Sequence, residues 1–596
     1  MAASVSAAAQ FPDRPEVAFR SVLERCPQCG AHLRVIKTYP RNAATLHVGR
    51  FVARVAVVQC PVCPDAPLLH SEELDALVPP HSNFGYDVMV HAGEAVLRRN
   101  LTVAETAAEL KGRNVPISES EVRDLAARFA VSLGVAQAEA APRLREHMRT
   151  AGGYVLHIDS TCKAGSDHLL SGIDELSGFV LLNAKAPTES GPRVAAFLRG
   201  VVDRFGPPLA VASDMSAGIR TAVAEVLPNT PLFICHFHFL RDLGKDLMAV
   251  DYAQIRDRLA RHGLKEHLER IRRELRDEAQ EASASVEKLV RGLDEHAASD
   301  AQWRGPVPHK ALVAGFVASI LESRSEGDGC GFPFDLPHLS FLRQAAAVLH
   351  AAEPLHRCAR LTAEEKRLYA HLLDLLRPVC ADPALARAAD RLQADKEIFD
   401  RLRVAMRIAR PNAADGLNDE GETVPTATIE QAVGTFCEQL RARQAANGQT
   451  RYNGMLEQID KYSDQLFANP IEVRTPQGKR TIQPQRTNNI LERFFRRLNR
   501  RGCKRTGRRP DARFINDMLT DAPLVANLDN PAYMKLILDG CDTLEQRLAR
   551  VDRSLVAATL KDLRTPRTGL RRGLRKSFRP RVAPLRIAQF ILEKCA

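Results

Sequence analysis

Five short apolar runs between residues 153 and 235 constrain the fold more than any other feature of this sequence. The runs are GYVLHIDS, HLLSGIDE, GFVLLNAKA, PLAVASDMS and PLFICHF, and each is typical of a strand. Apolar residues at helical spacing follow the third run, over 192–205, and the fourth run, over 217–226. This alternation of strands and helices predicts an α/β domain built around a mixed sheet.

The sequence changes character after Arg241. Apolar residues at a period of 3.6, with charged residues on the outer face, predict an all-helical insertion over 251–484. Another helix is predicted in RTNNILERFFRRLNRRG, with its start capped by Thr487 or Asn488. Its buried stripe is expected to consist of Ile490, Leu491, Phe494, Phe495 and Leu498.

Four of the thirteen cysteines form two matched CxxC pairs, Cys26 with Cys29 and Cys60 with Cys63. Two thiolates from each of two tight turns complete a closed tetrahedral site for one structural Zn²⁺ ion. A redox CxxC and ordinary buried cysteines are the alternatives, but neither explains why the pairs are matched. The pairs therefore predict a zinc ribbon. The nine scattered cysteines favour a reducing cytoplasm over a disulfide framework.

Two short helices are predicted after residue 100. Thr102 with Glu105, and Ser118 with Glu121, have the spacing of a capping box at a helix start. The segments LTVAETAAEL and SESEVRDLAARFAV resemble a helix-turn-helix, in which the second helix offers Arg123 and Arg128 to DNA. An ordinary helical hairpin is the alternative.

The charge of the chain favours an acidic polymer as a partner. The 596 residues carry a net charge of +12, and eleven lysines or arginines lie between residues 486 and 513 against two acids. A second basic run covers 561–581, where a solvated surface is the alternative interpretation. No run approaches the roughly 20 apolar residues of a membrane span, and the N-terminus lacks the features of a secretory signal. We therefore expect a cytoplasmic, nucleoid-associated protein without a membrane partner.

Three carboxylates are candidates for a catalytic metal site. Asp159 ends the first apolar run, Asp214 ends the fourth, and Glu492 lies on the flank of the predicted helix. In an RNase H-like sheet the first and fourth strands are neighbours, so the two aspartates would face each other. Carboxylates of this kind hold two Mg²⁺ or Mn²⁺ ions for phosphodiester cleavage. A surface salt bridge is the alternative role for Glu492, because arginines surround it.

The run ICHFH contains a C-x-x-H pair, Cys235 and His238. No second ligand pair is close in sequence, so a packed cysteine and a hydrogen-bonded histidine are favoured over a second zinc site. Asp167, Asp174 and Glu175 lie near the first carboxylate in sequence, but they are predicted to be surface residues.

Together the segments HIDST, SDMSAGI, ICHFH and TNNILERFFRRLNRR resemble the DDE transposases of bacterial insertion sequences, of Mutator-like and hAT-like type. The resemblance implies an RNase H-like catalytic domain in which Asp159, Asp214 and Glu492 bind the catalytic metals. It also implies a C-x-x-H motif and a large helical insertion between the second aspartate and the glutamate. Similar transposases carry an N-terminal zinc ribbon and helix-turn-helix that recognise the terminal inverted repeats.

The predicted fold class is multidomain α/β plus α, with an RNase H-like mixed sheet interrupted by the helical insertion. The predicted units are a zinc ribbon with an N-terminal tail (1–80), a helix-turn-helix (81–145), the first part of the catalytic domain (150–250), the helical insertion (251–484), the last part of the catalytic domain (485–530) and a helical, basic C-terminal tail (531–596).

The predicted function is metal-dependent cleavage at transposon ends followed by strand transfer into target DNA. The partners are the terminal inverted repeats and the target duplex, bound by a dimer or larger assembly. A DNA-binding regulator without catalysis and a nuclease without strand transfer are the alternatives. Phosphate contacts are assigned to a set of basic side chains on the glutamate-bearing helix: Arg493, Arg496, Arg497, Arg500, Arg501, Lys504 and Arg505.

Overall fold

A computed structural model describes residues 14–63, 67–281, 308–357, 360–408 and 425–564. Its largest sheet has five strands: β4 (Val155–Thr161), β5 (His168–Asp174), β6 (Val180–Ala186), β7 (Ala210–Ser213) and β8 (Leu232–Ile234). The strand order is β6-β5-β4-β7-β8. β4, β5 and β6 pair antiparallel, whereas β4, β7 and β8 pair parallel. The predicted mixed sheet is confirmed, and the first of its strands along the chain lies beside the fourth.

Two helices connect the parallel strands of this sheet. The helix Gly191–Phe205 precedes β7 and buries Val194, Phe197 and Leu198. The helix Ala217–Val226 lies between β7 and β8 and has the bounds expected from its apolar spacing. Parallel strands require such crossovers, which cover the apolar surface of the sheet.

A separate three-stranded sheet forms the N-terminal part. β1 (Glu16–Phe19) pairs parallel to β3 (Gly49–Gln59), and β2 (Arg34–Thr45) pairs antiparallel to β3. This second mixed sheet has its own small core, which includes Phe19 and Phe51. The two cysteine pairs lie at the ends of β2 and β3 that are far from their connecting turn.

The predicted helical hairpin follows the short helix Glu72–Leu77 and the helix Tyr86–Leu97. Both capping boxes are confirmed, at the starts of the helices Val103–Lys111 and Glu119–Thr150. The second helix is much longer than a recognition helix needs, because apolar residues continue at helical spacing up to Met148. Its middle packs on the large sheet, where Gln137 donates a hydrogen bond to the Leu181 carbonyl at 2.8 Å.

Helices dominate the chain after β8. The helix His236–His262, here called the junction helix, leads away from the sheet, and the predicted boundary at residue 250 falls inside it. The helices that follow are Leu264–Glu274, Arg276–Glu281, His309–Glu322, Pro337–His356, Ala363–Cys380, Pro383–Ala405, Thr426–Asn447 and Asn453–Leu466. The junction helix and most of these helices share a core that includes Leu240, Tyr369 and Phe399.

The prediction that 251–484 is all-helical is wrong at its end. β9 (Ile471–Thr475) and β10 (Gly478–Ile482) form an antiparallel hairpin there. Ile471 and Val473 alternate at the two-residue period of a strand, and Val473 packs against Val155 and other residues of the large sheet. The hairpin therefore covers one side of that sheet.

The chain then returns to the large sheet through the helix Asn489–Thr506, here called the glutamate helix. The remaining segments are the helix Ala512–Asp517, the 3₁₀ helix Ala522–Asp529, and the helices Pro531–Leu538, Leu544–Ala549 and Arg553–Arg564. The basic run over 565–581 lies outside the described residues. One hydrophobic core joins Phe129, Leu156, Phe494 and Tyr533, so the helical hairpin, the sheet, the glutamate helix and the C-terminal helices pack as one body.

Candidate functional site

Asp159 and Asp214 lie on neighbouring parallel strands of the large sheet. The pairing of β4 with β7 sets His157 opposite Ala212, and the same register brings Asp159 level with Asp214. Asp159 lies within β4 and is only 9% exposed, whereas Asp214 directly follows β7 and is half-buried. The Ser160 N–H donates to Asp159 Oδ1 at 2.7 Å, and the Ser216 N–H donates to Asp214 Oδ1 at 2.9 Å. Both carboxylates therefore lie at one edge of the sheet.

The electrostatics of this edge disfavour several negative charges at once. Burial, followed by the charge of Asp214, raises the pKa of Asp159 well above its ordinary value. The carboxylates of Glu189 and Glu492 raise it further. Burial also raises the pKa of Asp214. A group of carboxylates that destabilise one another's ionised forms is typical of a site that binds a cation or performs acid–base chemistry.

Glu189 is a member of this group that sequence reasoning missed. It precedes the helix Gly191–Phe205, and its pKa is raised by burial and then by the charge of Asp214. Its Oε1 atom is buried and has no hydrogen-bond partner among the described residues. No local pattern marks Glu189 in the sequence, because only the packing of its loop against Gly218 at the next helix brings it to this edge.

Glu492 reaches the site from the first turn of the glutamate helix. The predicted apolar stripe is confirmed: Leu491, Phe494, Phe495 and Leu498 are buried, and Ile490 is partly buried against the same core. This stripe packs on the sheet, and Glu492 raises the pKa of Asp159 through its charge. The charges of Asp214 and Glu492 thus both act on Asp159, although the three residues are far apart in the sequence.

The C-x-x-H pair links the junction helix to the glutamate helix. Cys235 is buried, and its Sγ accepts the Asn488 N–H at 3.2 Å. His238 Nε2 lies 3.6 Å from Glu492 Oε1. Burial, with the charge of Arg241 next, lowers the pKa of His238 to about 4, so this contact is not an ion pair at neutral pH. Within the described residues, no other cysteine or histidine joins this pair in a metal-binding group.

Two acids that were predicted to lie on the surface are buried instead. Asp174 is fully buried and accepts the N–H groups of Leu176 and Ser177 at 3.0 Å each. The Glu175 side chain is 7% exposed, and its Oε2 lies 3.0 Å from His157 Nε2. The prediction failed because the turn after β5 folds back on the sheet and uses both carboxylates as hydrogen-bond acceptors. Neither carboxylate is among the groups that raise the pKa of Asp159, whereas Glu189 is one of them.

The residues at this edge suit a hard divalent cation. Carboxylate oxygens are the ligands that Mg²⁺ and Mn²⁺ prefer, and a cation would relieve the repulsion that raises the pKa of Asp159. Glu189 adds a further carboxylate: its Oε1 has no hydrogen-bond partner among the described residues, while the side chains of Ser160 and Ser216 bond to the group. In the described part of the chain, only the four cysteines hold three or more ligand atoms all within 4.8 Å of one another. The carboxylates are therefore more widely spaced than that.

The four predicted zinc ligands form one cluster. The Sγ atoms of Cys26, Cys29, Cys60 and Cys63 lie within 4.8 Å of one another, so the cluster could hold a structural zinc ion. Burial opposes ionisation of Cys60, but the N–H groups of Cys63 and Val62 outweigh it and lower the pKa of this thiol to about 7. The hydrogen bond with Cys29, followed by burial, raises the pKa of Cys63 to about 12, so the four thiols do not ionise independently of one another.

The basic side chains of the glutamate helix point away from its apolar stripe. The exposed ones are Arg493, Arg496, Arg497, Arg500 and Lys504. Arg501 is half-buried, and burial lowers its pKa. The side chain of Arg505 lies outside the described residues. On the long helix Glu119–Thr150, Arg123 is exposed and Arg128 is half-buried.

No family model matches this chain, and a search of curated proteins finds no match either. Among the described helices, none is both long and apolar enough to cross a membrane.

Proposed function

We propose that this chain is a DDE-type DNA transposase that cleaves transposon ends and joins them to target DNA. The observation that carries the proposal is that Asp159 and Asp214 lie level on neighbouring parallel strands, while the charge of Glu492 also acts on Asp159. Beyond the effect of burial, the carboxylates of Asp214, Glu189 and Glu492 each raise the pKa of Asp159. Beside them runs a helix face of exposed arginines suited to a phosphate backbone.

The sheet order supports an RNase H-like assignment of the catalytic unit. Three antiparallel strands come first along the chain, and the first of them pairs parallel to the fourth. The glutamate arrives only after the helical unit, which follows β8. This order of acids and insertion agrees with the resemblance to Mutator-like and hAT-like transposases.

Asp159, Asp214 and Glu492 would hold the catalytic Mg²⁺ or Mn²⁺ ions, and Glu189 offers a further carboxylate. Bound there, two such ions would supply an activated hydroxyl and charge neutralisation for the leaving oxygen. Burial of Asp159 excludes water from one side of the reacting centre. Hydrolysis forms a phosphorus–oxygen bond to water and releases a 3′-hydroxyl. Strand transfer then exchanges one phosphodiester bond for another, so neither step requires a nucleotide or redox cofactor.

DNA binding is assigned to three regions of the chain. The exposed arginines of the glutamate helix contact phosphates near the site. Lys504 and Arg505, which follow them, are assigned the same role. The four-cysteine unit, held by structural zinc, and the capped helix with Arg123 and Arg128 recognise the terminal inverted repeats. Two ends must be joined in one reaction, so a dimer or larger assembly is the expected active form.

The test is an assay of DNA cleavage and joining with the full chain and Mg²⁺ or Mn²⁺. The substrates are labelled duplexes that carry the genomic sequence flanking the coding region, with a supercoiled plasmid as the target. Asp159→Asn, Asp214→Asn and Glu492→Gln should each abolish cleavage but leave DNA binding intact. Asp521→Asn is the matched control, because burial also raises the pKa of Asp521, which packs on Gly134 outside the site.

The outcomes separate the proposal from its alternatives. Cleavage that survives Asp159→Asn contradicts the assigned mechanism. Cut ends without joined products indicate a nuclease, and tight binding of the flanking repeats without cutting indicates a DNA-binding regulator derived from a transposase.

A further inference from the structure

We propose that Asn488 is the positioning residue that sets Glu492 against Asp159. The inference rests on the proposed metal site, and it assigns the alignment of that site to one buried amide. Asn488 directly precedes the glutamate helix, and Glu492 lies in the first turn after it. Glu492 is four residues after Asn488, so at a rise of about 1.5 Å per residue the two backbones are about 6 Å apart along the helix axis.

The Asn488 side chain bridges the glutamate helix to the strand that bears Asp159. Asn488 is 1% exposed, and its Nδ2 donates to the Ile158 carbonyl at 3.2 Å. Its Oδ1 lies 2.8 Å from His157 Nδ1. Because the bond to the carbonyl fixes which end of the amide is the donor, Oδ1 accepts a hydrogen bond from the imidazole. Asn488 thus bonds to His157 and Ile158, the two residues immediately before Asp159 on β4.

The backbone of Asn488 is held from a second direction. Its N–H donates to Cys235 Sγ at 3.2 Å, at the start of the junction helix. Two residues earlier, the Arg486 carbonyl accepts the His236 N–H at 2.8 Å. The start of the glutamate helix is therefore tied to β4 through a side chain and to the end of β8 through the backbone.

The use of this asparagine differs from its usual role at a helix start. An asparagine at the N-cap ordinarily accepts a hydrogen bond from an N–H group of its own helix. Asn488 occupies the N-cap position, but its side chain makes no such bond. A cap of this kind contributes about 0.5–2 kcal/mol in other helices, and the Asn488 side chain makes its hydrogen bonds to β4 instead.

His157 is itself held by a carboxylate. Its Nε2 lies 3.0 Å from Glu175 Oε2, and Glu175 also accepts the Gln485 N–H at 3.1 Å. His157 is fully buried. Glu175, His157 and Asn488 are thus linked by hydrogen bonds. Asn488 also bonds to Ile158, the residue that directly precedes Asp159. Hydrogen-bonded supports of this kind orient the groups that bind a metal.

The test measures metal binding rather than catalysis. Zinc-loaded full chain is titrated with Mn²⁺, and free Mn²⁺ is followed by electron paramagnetic resonance. Asn488→Ala should weaken Mn²⁺ binding by about 10-fold or more, as is typical for a residue that supports metal ligands. His157→Asn, which keeps a donor toward Asn488, should retain more affinity than His157→Ala.

Asn527→Ala is the matched control for a structural effect. Asn527 is 2% exposed, and its Nδ2 donates to the Val180 carbonyl of the same sheet at 2.9 Å. Its Oδ1 accepts the Val180 N–H at 2.8 Å. The two asparagines thus match in burial and in bonding to a strand, but Asn527 is not linked to the carboxylates. Asn527→Ala should lower the melting temperature as much as Asn488→Ala and leave Mn²⁺ affinity within about 2-fold of wild type.

Asp159→Asn separates failure of this inference from failure of the proposed function. If wild type binds Mn²⁺ no more tightly than Asp159→Asn, the carboxylates are not a metal site and the proposed function fails. If wild type binds more tightly than Asp159→Asn, but Asn488→Ala matches wild type or Asn527→Ala, the positioning role is refuted and the metal site stands.

Discussion

Replacing Arg496 and Arg500 together with alanine should reduce the salt dependence of DNA binding. Both side chains are exposed on the glutamate helix, opposite the buried Phe494 and Leu498. The exposed cations from Arg493 to Lys504 extend over about 16 Å at 1.5 Å per residue. Duplex DNA carries one charge per about 1.7 Å of axis, so a duplex lying along this face can contact several of these side chains at once.

The magnitude follows from the number of contacts removed. Each phosphate contact adds about 0.9 to the slope of log affinity against log salt, so the double variant should lose about 1.8 of slope. Over a fourfold change in salt concentration, that loss is about a 12-fold difference in relative affinity. The measurement is fluorescence anisotropy with a labelled duplex of mixed sequence, titrated at four salt concentrations.

The control removes the same number of charges elsewhere. Arg272 and Arg273 are both exposed on the helix Leu264–Glu274, which is not expected to contact DNA. Arg272→Ala with Arg273→Ala should leave the slope within about 0.5 of wild type. Equal losses in the two double variants would refute the assignment of DNA binding to the glutamate helix, since they would reflect net charge alone.

Three further predictions concern other parts of the chain. Cys60→Ser should remove one zinc ion per chain, as measured by elemental mass spectrometry, because a structural site needs four ligands. Burial raises the pKa of Asp521, so the native state binds the carboxyl proton more tightly than the unfolded state does. The free energy of unfolding therefore falls as the pH rises from the pKa of the unfolded state to that of the native state. Asp521→Asn should therefore raise the melting temperature at about pH 8 more than at about pH 4; an equal effect at both would contradict the shift. A Cβ on Gly93 would lie 2.2 Å from the Phe129 ring, so Gly93→Ala should cost about 1–3 kcal/mol in denaturant titrations, whereas Gly434→Ala, with nothing within 4 Å, should not destabilise the protein.

The elements that the sequence predicted well are those with a strong local pattern. All five strands of the large sheet coincide with short apolar runs, and the helix Ala217–Val226 has its expected bounds. Capping boxes marked two helix starts because the hydrogen bonds of such a box lie within four residues. The apolar stripe around Phe494 identified the buried face of the glutamate helix for the same reason.

The elements that the sequence did not predict depend on contacts between distant residues. Glu189 joins the carboxylates only through packing of its loop. Asn488 resembled a helix cap, but its side chain bonds to His157, on a strand far away in the sequence. Glu175 was predicted to be a surface residue, but its side chain contacts the buried His157. No periodicity or propensity contains this information.

The place where the helical unit is inserted explains why the C-x-x-H pair lies where it does. The chain leaves the sheet at Cys235 and returns at Asn488, and these two residues are hydrogen bonded to each other. Loop-closure entropy rises only with the logarithm of loop length, so a large unit between two tied ends adds little cost to closing the site. For the proposed site, the contacts at the junction matter more than the length of the unit. Asn488 is also bonded to His157 and Ile158 of β4, so the two ends of the helical unit and the strand that bears Asp159 meet at one point. In the proposed site, the contacts at this junction therefore set where the glutamate helix begins relative to the strand that carries Asp159.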